Sequence, residues 1–384
     1  MMNFVFYNPV KIYFGKGQIA KISNEIPKDA TILMTYGGGS IFTNGVYEQV
    51  KSALADYKLL EFGGIEPNPR YETLIKALPI IKENHVNFIL AVGGGSVIDG
   101  TKFISVASFY EGDPWDFLSK GVRAQKALPI GVVLTLPATG SEMNAGAVIS
   151  REATKEKRSF FSPLVFPRFS VTDPSVTFSL PPRQVANGIV DAFIHTMEQY
   201  LTYPVNAPIQ DRMSESILIT LMEEGPKAIV KPNDYDTRAN IMWSATMALN
   251  GLIACGVPTD WATHGIGHEL TALHGLDHGL TLAIVYPGVM KVMQNEKREK
   301  ILQYAERVLK ITQGSENERI DKAILKTDEF FRSLGMKTRL SENGIGQDTI
   351  ETIVERFTKP QIVRLGENQS ITPEKVRQIL IERL

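Results

Sequence analysis

The sequence has few cysteines, no long apolar runs and almost no net charge. Cys255 is the only cysteine among 384 residues, so an intrachain disulfide is ruled out and a reducing compartment is expected. No apolar run approaches the ~20 residues that a membrane helix needs, and the first residues lack the basic start and apolar core of a signal peptide. These absences predict a cytoplasmic protein with no membrane partner.

Charge patterning excludes two further classes of partner. The formal net charge is -1, and no dense basic run is present, so nucleic acid and anionic membrane surfaces are poor candidates. A composition of 43% hydrophobic and 22% charged residues is ordinary for a globular enzyme. Because 384 residues exceed the size at which one core stops growing, two domains are expected.

The first half of the chain alternates strand-like runs with glycine-rich turns and helical patterns. Each turn follows a run rich in β-branched residues, which indicates βαβ units around a parallel sheet. We therefore predict an α/β dinucleotide-binding domain with a Rossmann-like parallel sheet over residues 1–180. The predicted strands are 30–36, 87–92 and 130–136, and the predicted helices between them are 45–55 and 71–84.

From about residue 180 onward the pattern becomes helical. Few alternating β-branched runs remain, and Pro181-Pro182 marks the boundary because proline suits the first turn of a helix and disfavours helix just before it. We therefore predict an all-α domain over residues 181–384. The predicted helices are 182–200, 207–229, 237–250, 296–313, 316–334 and 372–384.

Two Gly-Gly-Gly-Ser turns, 37–40 and 93–96, each follow a predicted strand and precede a helix. Glycine lets backbone N–H groups approach a phosphate, and a helix N-terminus favours its negative charge. One such turn is equally well a plain tight turn, but two in this context favour a dinucleotide. Neither is the usual Gly-x-Gly-x-x-Gly fingerprint. Asp99, in the first turn of the second helix, complements the helix dipole whatever else it does.

Histidines are concentrated in one short segment. Four of the six lie between residues 264 and 278, and His195 follows Asp191 by four residues, which places both side chains on one helix face. Imidazoles with a carboxylate suit a divalent transition metal such as Zn(II) or Fe(II) better than Ca or Mg. The segment holds more histidines than one site needs, so at least one acts as a proton relay or supports a ligand. A zinc-protease motif is excluded because Ala272 stands where the second histidine is required.

Three segments together resemble the iron-containing (group III) alcohol dehydrogenases, in particular the NADPH-dependent aldehyde reductases and butanol dehydrogenases. The likeness covers the chain from Phe6 to the last helix. It is carried by residues 180–200, by the turn from Gly93 to Asp99, and by residues 263–278. The resemblance implies an N-terminal dinucleotide domain, a helical metal-binding domain, a cleft between them where cofactor and metal meet, and a homodimer.

The resemblance also implies roles for single residues. The four metal ligands of the family match Asp191, His195, His264 and His278, and a proposed proton-relay histidine matches His268. The cofactor positions of the family match Gly38, Gly39, Ser40, Gly94, Gly95, Ser96, Asp99, Thr135, Leu136 and Lys157. One departure is evident, because Leu136 stands where many members carry the second of two threonines.

Cofactor choice depends on the first glycine-rich turn. A carboxylate there would accept hydrogen bonds from the adenine ribose and repel a 2′-phosphate, and residues 37–40 include none. NADP(H) is therefore favoured. NAD(H) stays open because Ile41 and Phe42 occupy positions where many NADP-using relatives carry lysine.

These observations predict a metal-dependent NAD(P)H-linked alcohol dehydrogenase that reduces small to medium aliphatic aldehydes. The metal would be one Fe(II) or Zn(II). Two alternatives keep the fold, namely a glycerol-type polyol dehydrogenase and a metal-dependent lyase of the dehydroquinate synthase type. Phosphorylated substrates call for Lys or Arg near the metal motifs, and residues 261–278 contain neither. A non-catalytic nucleotide-binding protein is disfavoured because loss of catalysis usually removes metal ligands.

Overall fold

The computed structural model describes residues 1–359 and 361–384. The chain forms two compact units. The sheet unit comprises residues 7–181 and 231–250, and the helical unit comprises residues 1–6, 182–230 and 251–384. The change from alternating to helical sequence pattern at Pro181-Pro182 thus coincides with the end of the longer of the two segments that form the sheet unit. A helical segment from the second half, 231–250, returns to the sheet unit.

The described part of the chain has eight strands. They are β1 (Lys11–Phe14), β2 (Thr31–Tyr36), β3 (Lys58–Phe62), β4 (Phe88–Gly94), β5 (Ile130–Leu136), β6 (Gly146–Arg151), β7 (Glu156–Phe161) and β8 (Phe169–Thr172). Six of them form a parallel sheet in the order β1-β8-β5-β4-β2-β3, and β6 and β7 form a separate antiparallel hairpin.

Fourteen α-helices lie within the described residues. They are α1 (Val46–Ala53), α2 (Tyr71–Leu74), α3 (Ala77–Asn84), α4 (Gly95–Ala107), α5 (Asp116–Ser119), α6 (Pro182–Tyr200), α7 (Pro208–Val230), α8 (Tyr235–Ala248), α9 (Ala262–His274), α10 (His278–Val292), α11 (Arg298–Arg307), α12 (Glu316–Ser333), α13 (Gln347–Thr358) and α14 (Pro373–Ile381).

Both faces of the parallel sheet are buried. Along β4, Ile89 and Ala91 belong to one apolar core, whereas Phe88, Leu90 and Val92 belong to another. Successive side chains of a strand point to opposite faces, so the sheet has a core on each side. This arrangement explains the nearly continuous apolar runs of the central strands, which are typical of parallel sheets covered on both faces.

In the helical unit, α10 packs against both α6 and α9. A separate apolar core, which includes Ile266, Ile284 and Val285, joins α9 and α10 to the C-terminal helices. None of the described helices is both long enough and apolar enough to cross a membrane. The predicted fold class, a parallel α/β domain followed by a helical domain, is confirmed.

Candidate metal centre

Helix α6 presents the carboxylate and one imidazole of the candidate site. Every residue from Gly188 to Tyr200 is buried, so this part of α6 lies inside the helical unit. Asp191 and His195, four residues apart, face the same side of the helix. The distance between Asp191 Oδ1 and His195 Nε2 is 3.6 Å. The spacing in the sequence therefore translates directly into a shared centre.

Two further imidazoles come from α9 and α10. His264 lies in the first turn of α9, and its Nε2 is 3.7 Å from Asp191 Oδ1. His278 is the first residue of α10, and its Nε2 is 3.6 Å from the same oxygen. A short turn at Gly275, with φ of 69°, ends α9 and lets α10 begin beside it. Three imidazole nitrogens thus surround one carboxylate oxygen.

These donors fit a divalent transition metal. The ligand atoms of Asp191, His195 and His264 all lie within 4.8 Å of one another, and all three residues are buried. Ligands bound at the usual Zn–N and Zn–O lengths in a tetrahedron are about 3.3 Å apart, which is close to the observed spacings. Imidazole with carboxylate is also the donor set that zinc and ferrous iron accept.

The pKa values of two of the histidines are shifted in opposite directions by their surroundings. Burial lowers the pKa of His195 to about 4, so its ring is neutral at pH 7. For His264, burial also lowers the pKa, but the neighbouring carboxylates of Glu198 and Asp191 outweigh it and raise the pKa to about 9. To bind a metal ion at pH 7, His264 would therefore have to give up a proton.

The two remaining histidines of the segment, His268 and His274, have different surroundings. The ring of His268 lies 6.2 Å from that of His264 and 5.4 Å from that of His278, centroid to centroid, beside the ligand set. His274 is exposed and makes a 3.0 Å hydrogen bond through Nε2 with Thr349 Oγ1. His274 and His278 share no helix face, because α9 ends at His274 and α10 begins at His278.

Sequence reasoning missed two residues beside the cluster. Glu198 is buried on α6, and its carboxylate contacts His264 Nδ1. Its spacing of three residues from His195 is a helical signal that could have identified it. Trp261 packs its ring against those of His195 and His264, at centroid distances of 6.2 and 5.5 Å. Its φ of 63° is rare for a bulky residue and had no signal in the sequence.

The second glycine-rich turn joins strand and helix without a loop. β4 ends at Gly94 and α4 begins at Gly95. Ser96 Oγ accepts a 3.2 Å hydrogen bond from the Asn68 backbone N–H, and Lys157 Nζ donates to Asn68 Oδ1 at 2.9 Å. Ser96 and Lys157, which are distant in sequence, thus meet through Asn68 at the N-terminus of α4. Asn68 itself was missed, and its left-handed φ of 56° marks it structurally.

The other predicted cofactor positions lie on the neighbouring strands. Leu136 is paired with Gly94 across β5 and β4, so Thr135 and Leu136 lie beside the second turn. Gly38, Gly39 and Ser40 follow β2, which pairs with β4 on its other side. At Gly39 a φ of 98° allows the chain to enter a short 3₁₀ helix.

Asp99 is held inside the sheet unit. It is 7% exposed, and its two oxygens accept hydrogen bonds from Ser141 Oγ at 2.6 Å and from Val148 N at 2.9 Å. Burial raises its pKa, and the nearby Lys102 opposes that shift. The prediction that Asp99 lies in the first turn of its helix is wrong, because α4 begins at Gly95 and its first turn has no acidic residue. The carboxylate instead connects α4 to residues 141–148.

Comparison with known proteins identifies the family. Residues 9–174 match the family model described as iron-containing alcohol dehydrogenase, and residues 185–384 match the model of the C-terminal part of the Fe-containing alcohol dehydrogenase family. The chain is 56% identical over 382 residues to the NADPH-dependent aldehyde reductase YqhD of Escherichia coli, covering 99% of each chain.

Solved structures agree with this result. The crystal structure of E. coli K-12 YqhD has a TM-score of 0.98 and 55% identity, covering 100% of this chain and 99% of that one. The NADH-dependent butanol dehydrogenase A of Thermotoga maritima has a TM-score of 0.95 and 39% identity, with coverage of 100% and 99%. Both halves of the sequence and the whole fold are thus matched, and the chain belongs to the iron-containing alcohol dehydrogenase family.

Proposed function

We propose that this protein is a metal-dependent NAD(P)H-linked alcohol dehydrogenase that works as an aldehyde reductase on small to medium aliphatic substrates. The observation that carries the proposal is the convergence of three imidazole nitrogens on one oxygen of Asp191, at 3.6 to 3.7 Å. One Fe(II) or Zn(II) held by Asp191, His195, His264 and His278 would polarise a carbonyl, and the nicotinamide would supply hydride.

Binding of the cofactor and delivery of the proton are assigned to other residues of this chain. The N-terminus of α4, with Gly94, Gly95 and Ser96, presents backbone N–H groups suited to a pyrophosphate. Lys157 adds a cation on the same side, through its bond to Asn68. His268 lies beside the ligand rings and would deliver the proton that the alkoxide product needs.

The preferred cofactor is NADP(H), with NAD(H) as the second possibility. No carboxylate lies in the turn at residues 37–40, so nothing there repels a 2′-phosphate. The E. coli relative is named as NADPH-dependent and the Thermotoga relative as NADH-dependent, so the fold accommodates both. The ratio of kcat/KM with NADPH to that with NADH measures the preference of this chain.

A neutral substrate fits the composition around the histidines. Residues 261–278 contain no lysine or arginine, which disfavours phosphorylated substrates. We also propose a cytoplasmic homodimer. This proposal comes from the family resemblance, and the exposed apolar side chains of Phe161 and Leu164, 72% and 45% exposed, are candidates for burial in such a dimer. Light scattering of the purified chain checks the oligomeric state.

The test compares two histidine variants. His264→Ala removes a proposed ligand, whereas His274→Ala removes an exposed histidine of the same helix that contacts Thr349. We expect His264→Ala to lose bound metal and butanal-dependent NADPH oxidation, and His274→Ala to keep both. Retention of metal and activity by His264→Ala rejects the proposed function.

A further inference from the structure

Glu198 lies on the same face of α6 as the two proposed ligands of that helix. It follows Asp191 by seven residues and His195 by three, and such positions stack along one side of a helix. Its side chain is only 1% exposed. A carboxylate buried so completely requires partners for both of its oxygens.

Both oxygens of Glu198 have partners in the first turn of α9. Oε1 accepts a 2.6 Å hydrogen bond from the Thr263 backbone N–H, and Oε2 contacts His264 Nδ1. The backbone carbonyl of Glu198 also accepts a 2.8 Å bond from Asp260 N. Trp261, the N-cap of α9, supplies no side-chain cap, so a carboxylate from another helix takes that place.

We propose that Glu198 is a positioning residue that fixes the ring orientation and tautomer of His264, an inference that rests on the proposed function. A neutral imidazole carries one N–H. When Nδ1 donates that hydrogen to Glu198, Nε2 keeps its lone pair and points toward Asp191, 3.7 Å away. Carboxylate partners on the second nitrogen of metal-binding histidines act in this way.

The chemistry of the two partners makes glutamine an informative replacement. Glu198 faces two donors, the Thr263 N–H and the His264 Nδ1–H, but a glutamine amide has one acceptor oxygen and one NH₂ group. If the amide oxygen faces Thr263, the NH₂ group donates to Nδ1 and the ring hydrogen moves to Nε2. If the oxygen faces His264, the NH₂ group meets the Thr263 N–H. Neither orientation satisfies both partners.

The primary measurement is the Zn²⁺ affinity of the metal-free full chain, determined by competition with a chromophoric chelator. We expect Glu198→Gln to weaken Zn²⁺ binding by about 10- to 100-fold. The matched control is Glu215→Gln, which alters another buried carboxylate. Glu215 lies on α7 and accepts a 2.9 Å hydrogen bond from Tyr200, the last residue of α6. Glu215→Gln should bind Zn²⁺ as the unaltered chain does. Equal affinity in a folded Glu198→Gln variant overturns the inference.

A double-mutant cycle distinguishes positioning of the ring from mere capping of α9. His264→Ala should lose its metal on purification, but its three remaining ligands should still bind added Zn²⁺ with a weak affinity that the competition assay measures. In that background Glu198→Gln should cause no further loss of this residual affinity, because its effect passes through the missing ring. An equal loss in both backgrounds overturns the positioning role. If the unaltered chain binds no Zn²⁺ or Fe²⁺, the proposed function fails first, and the inference fails with it.

A second variant covers the case in which Glu198→Gln does not fold. Glu198→Asp keeps the charge and both acceptor oxygens but retracts them by one methylene. We expect its Zn²⁺ affinity to fall at least about threefold, a smaller loss than the one expected for Glu198→Gln. Wild-type affinity in a folded Glu198→Asp variant contradicts the proposal.

Discussion

At the scale of single residues, the candidate site depends on how each histidine is held. The rings of His195 and His264 stack at a centroid distance of 4.6 Å, and both Nε2 atoms face Asp191. His268 lies one turn beyond His264 on α9, close to the same rings but outside the proposed ligand set. Under the proposed function, His268 transfers a proton and does not bind the metal.

Replacement of His268 tests this division of roles. His268→Ala should keep its metal, because the four proposed ligands are intact, while kcat for aldehyde reduction falls about 100-fold through loss of a general acid. The measurement is kcat with butanal at saturating NADPH, together with the metal content of the same sample. Loss of metal would make His268 a ligand, and an unchanged kcat would remove it from the proton pathway.

Sequence alone predicted the histidines but not their supporting residues. Asp191 and His195 were predicted because their spacing is helical, and that spacing survives folding unchanged. Glu198 acts on a residue 66 positions away, through a contact that exists only after α6 and α9 pack together. The left-handed Trp261 likewise follows from the tertiary environment, since no local pattern favours that backbone conformation.

At the scale of secondary-structure elements, the junction of β4 and α4 is set by glycine. A Cβ atom added to Gly95 would lie 2.4 Å from Thr139 Oγ1, too close for any real contact. The absence of a side chain therefore lets the N-terminus of α4 approach the segment after β5. This close approach is a packing requirement and does not depend on an unusual φ.

Gly95→Ala should disturb this junction. We expect overpacking to cost about 1 to 3 kcal/mol of stability and to raise the KM for NADPH, because the proposed pyrophosphate turn must shift. The matched control is Gly146→Ala, whose added Cβ meets no atom closer than 3.7 Å. Urea unfolding and steady-state kinetics measure the two effects. Similar behaviour of both variants would refute the packing argument.

A second element-scale prediction concerns the anchoring of the C-terminal residues. Asp328 on α12 pairs with Arg383, which also donates to Ile284 O of α10 at 2.9 Å. Burial tends to raise the pKa of Asp328, but Arg383, Thr338 and Arg332 lower it below its usual value. The pair therefore stabilises the fold above the ordinary aspartate pKa, and that stabilisation is lost as pH falls through the lower, folded-state pKa.

Asp328→Asn should accordingly lower the unfolding free energy by ~3 kcal/mol at pH 7. The deficit should begin to shrink below about pH 4, where the aspartate of the unfolded chain becomes protonated, and should disappear below the lower, folded-state pKa. Asp321→Asn is the control, because Asp321 forms an exposed pair with Lys291 and should change stability by less than ~1 kcal/mol. Urea unfolding at several pH values decides, and a deficit that grows on acidification contradicts the assignment.

Some helices and strands were predicted more accurately from the sequence than others. Helix α6 was predicted over 182–200 and α12 within one residue of its end, since long periodic segments are the clearest signals. The pattern over 71–84 predicted one helix, but the structure has two, α2 and α3. Strands β1, β3 and β6 to β8 were not predicted. β1 and β8 have only four residues each, and β3, β6 and β7 are half-exposed.

At the scale of the whole molecule, the candidate ligands all belong to the helical unit, although α6 and α10 are separated by more than 75 residues. A cation bound there would link three helices, and it would bind the folded state only. Binding of this kind stabilises the folded chain by mass action.

Metal should therefore raise the unfolding temperature of the chelator-treated chain. At a free Zn²⁺ concentration 100 times the Kd, the expected stabilisation is about 2.7 kcal/mol. Mg²⁺ should have no such effect, because it prefers oxygen ligands. Thermal unfolding followed by circular dichroism measures the shift, and His264→Ala should abolish it. An equal shift in that variant would place the stabilising metal elsewhere.

The division into two units was harder to predict than the fold class. The change of pattern at Pro181-Pro182 is local and visible in the sequence. Residues 231–250, however, return to the sheet unit, where Thr246 Oγ1 bonds to Glu142 at 2.6 Å. Helical periodicity in that segment indicates a helix but does not specify which core buries it.

The most direct test of the central claim is the metal content per chain of three purified proteins. The unaltered chain and His274→Ala should each contain about one Fe or Zn per chain, because a single four-ligand site holds one ion. His278→Ala should contain far less, since it lacks one of three imidazoles that converge on Asp191. A full equivalent of metal in His278→Ala, or none in the unaltered chain, would contradict the account.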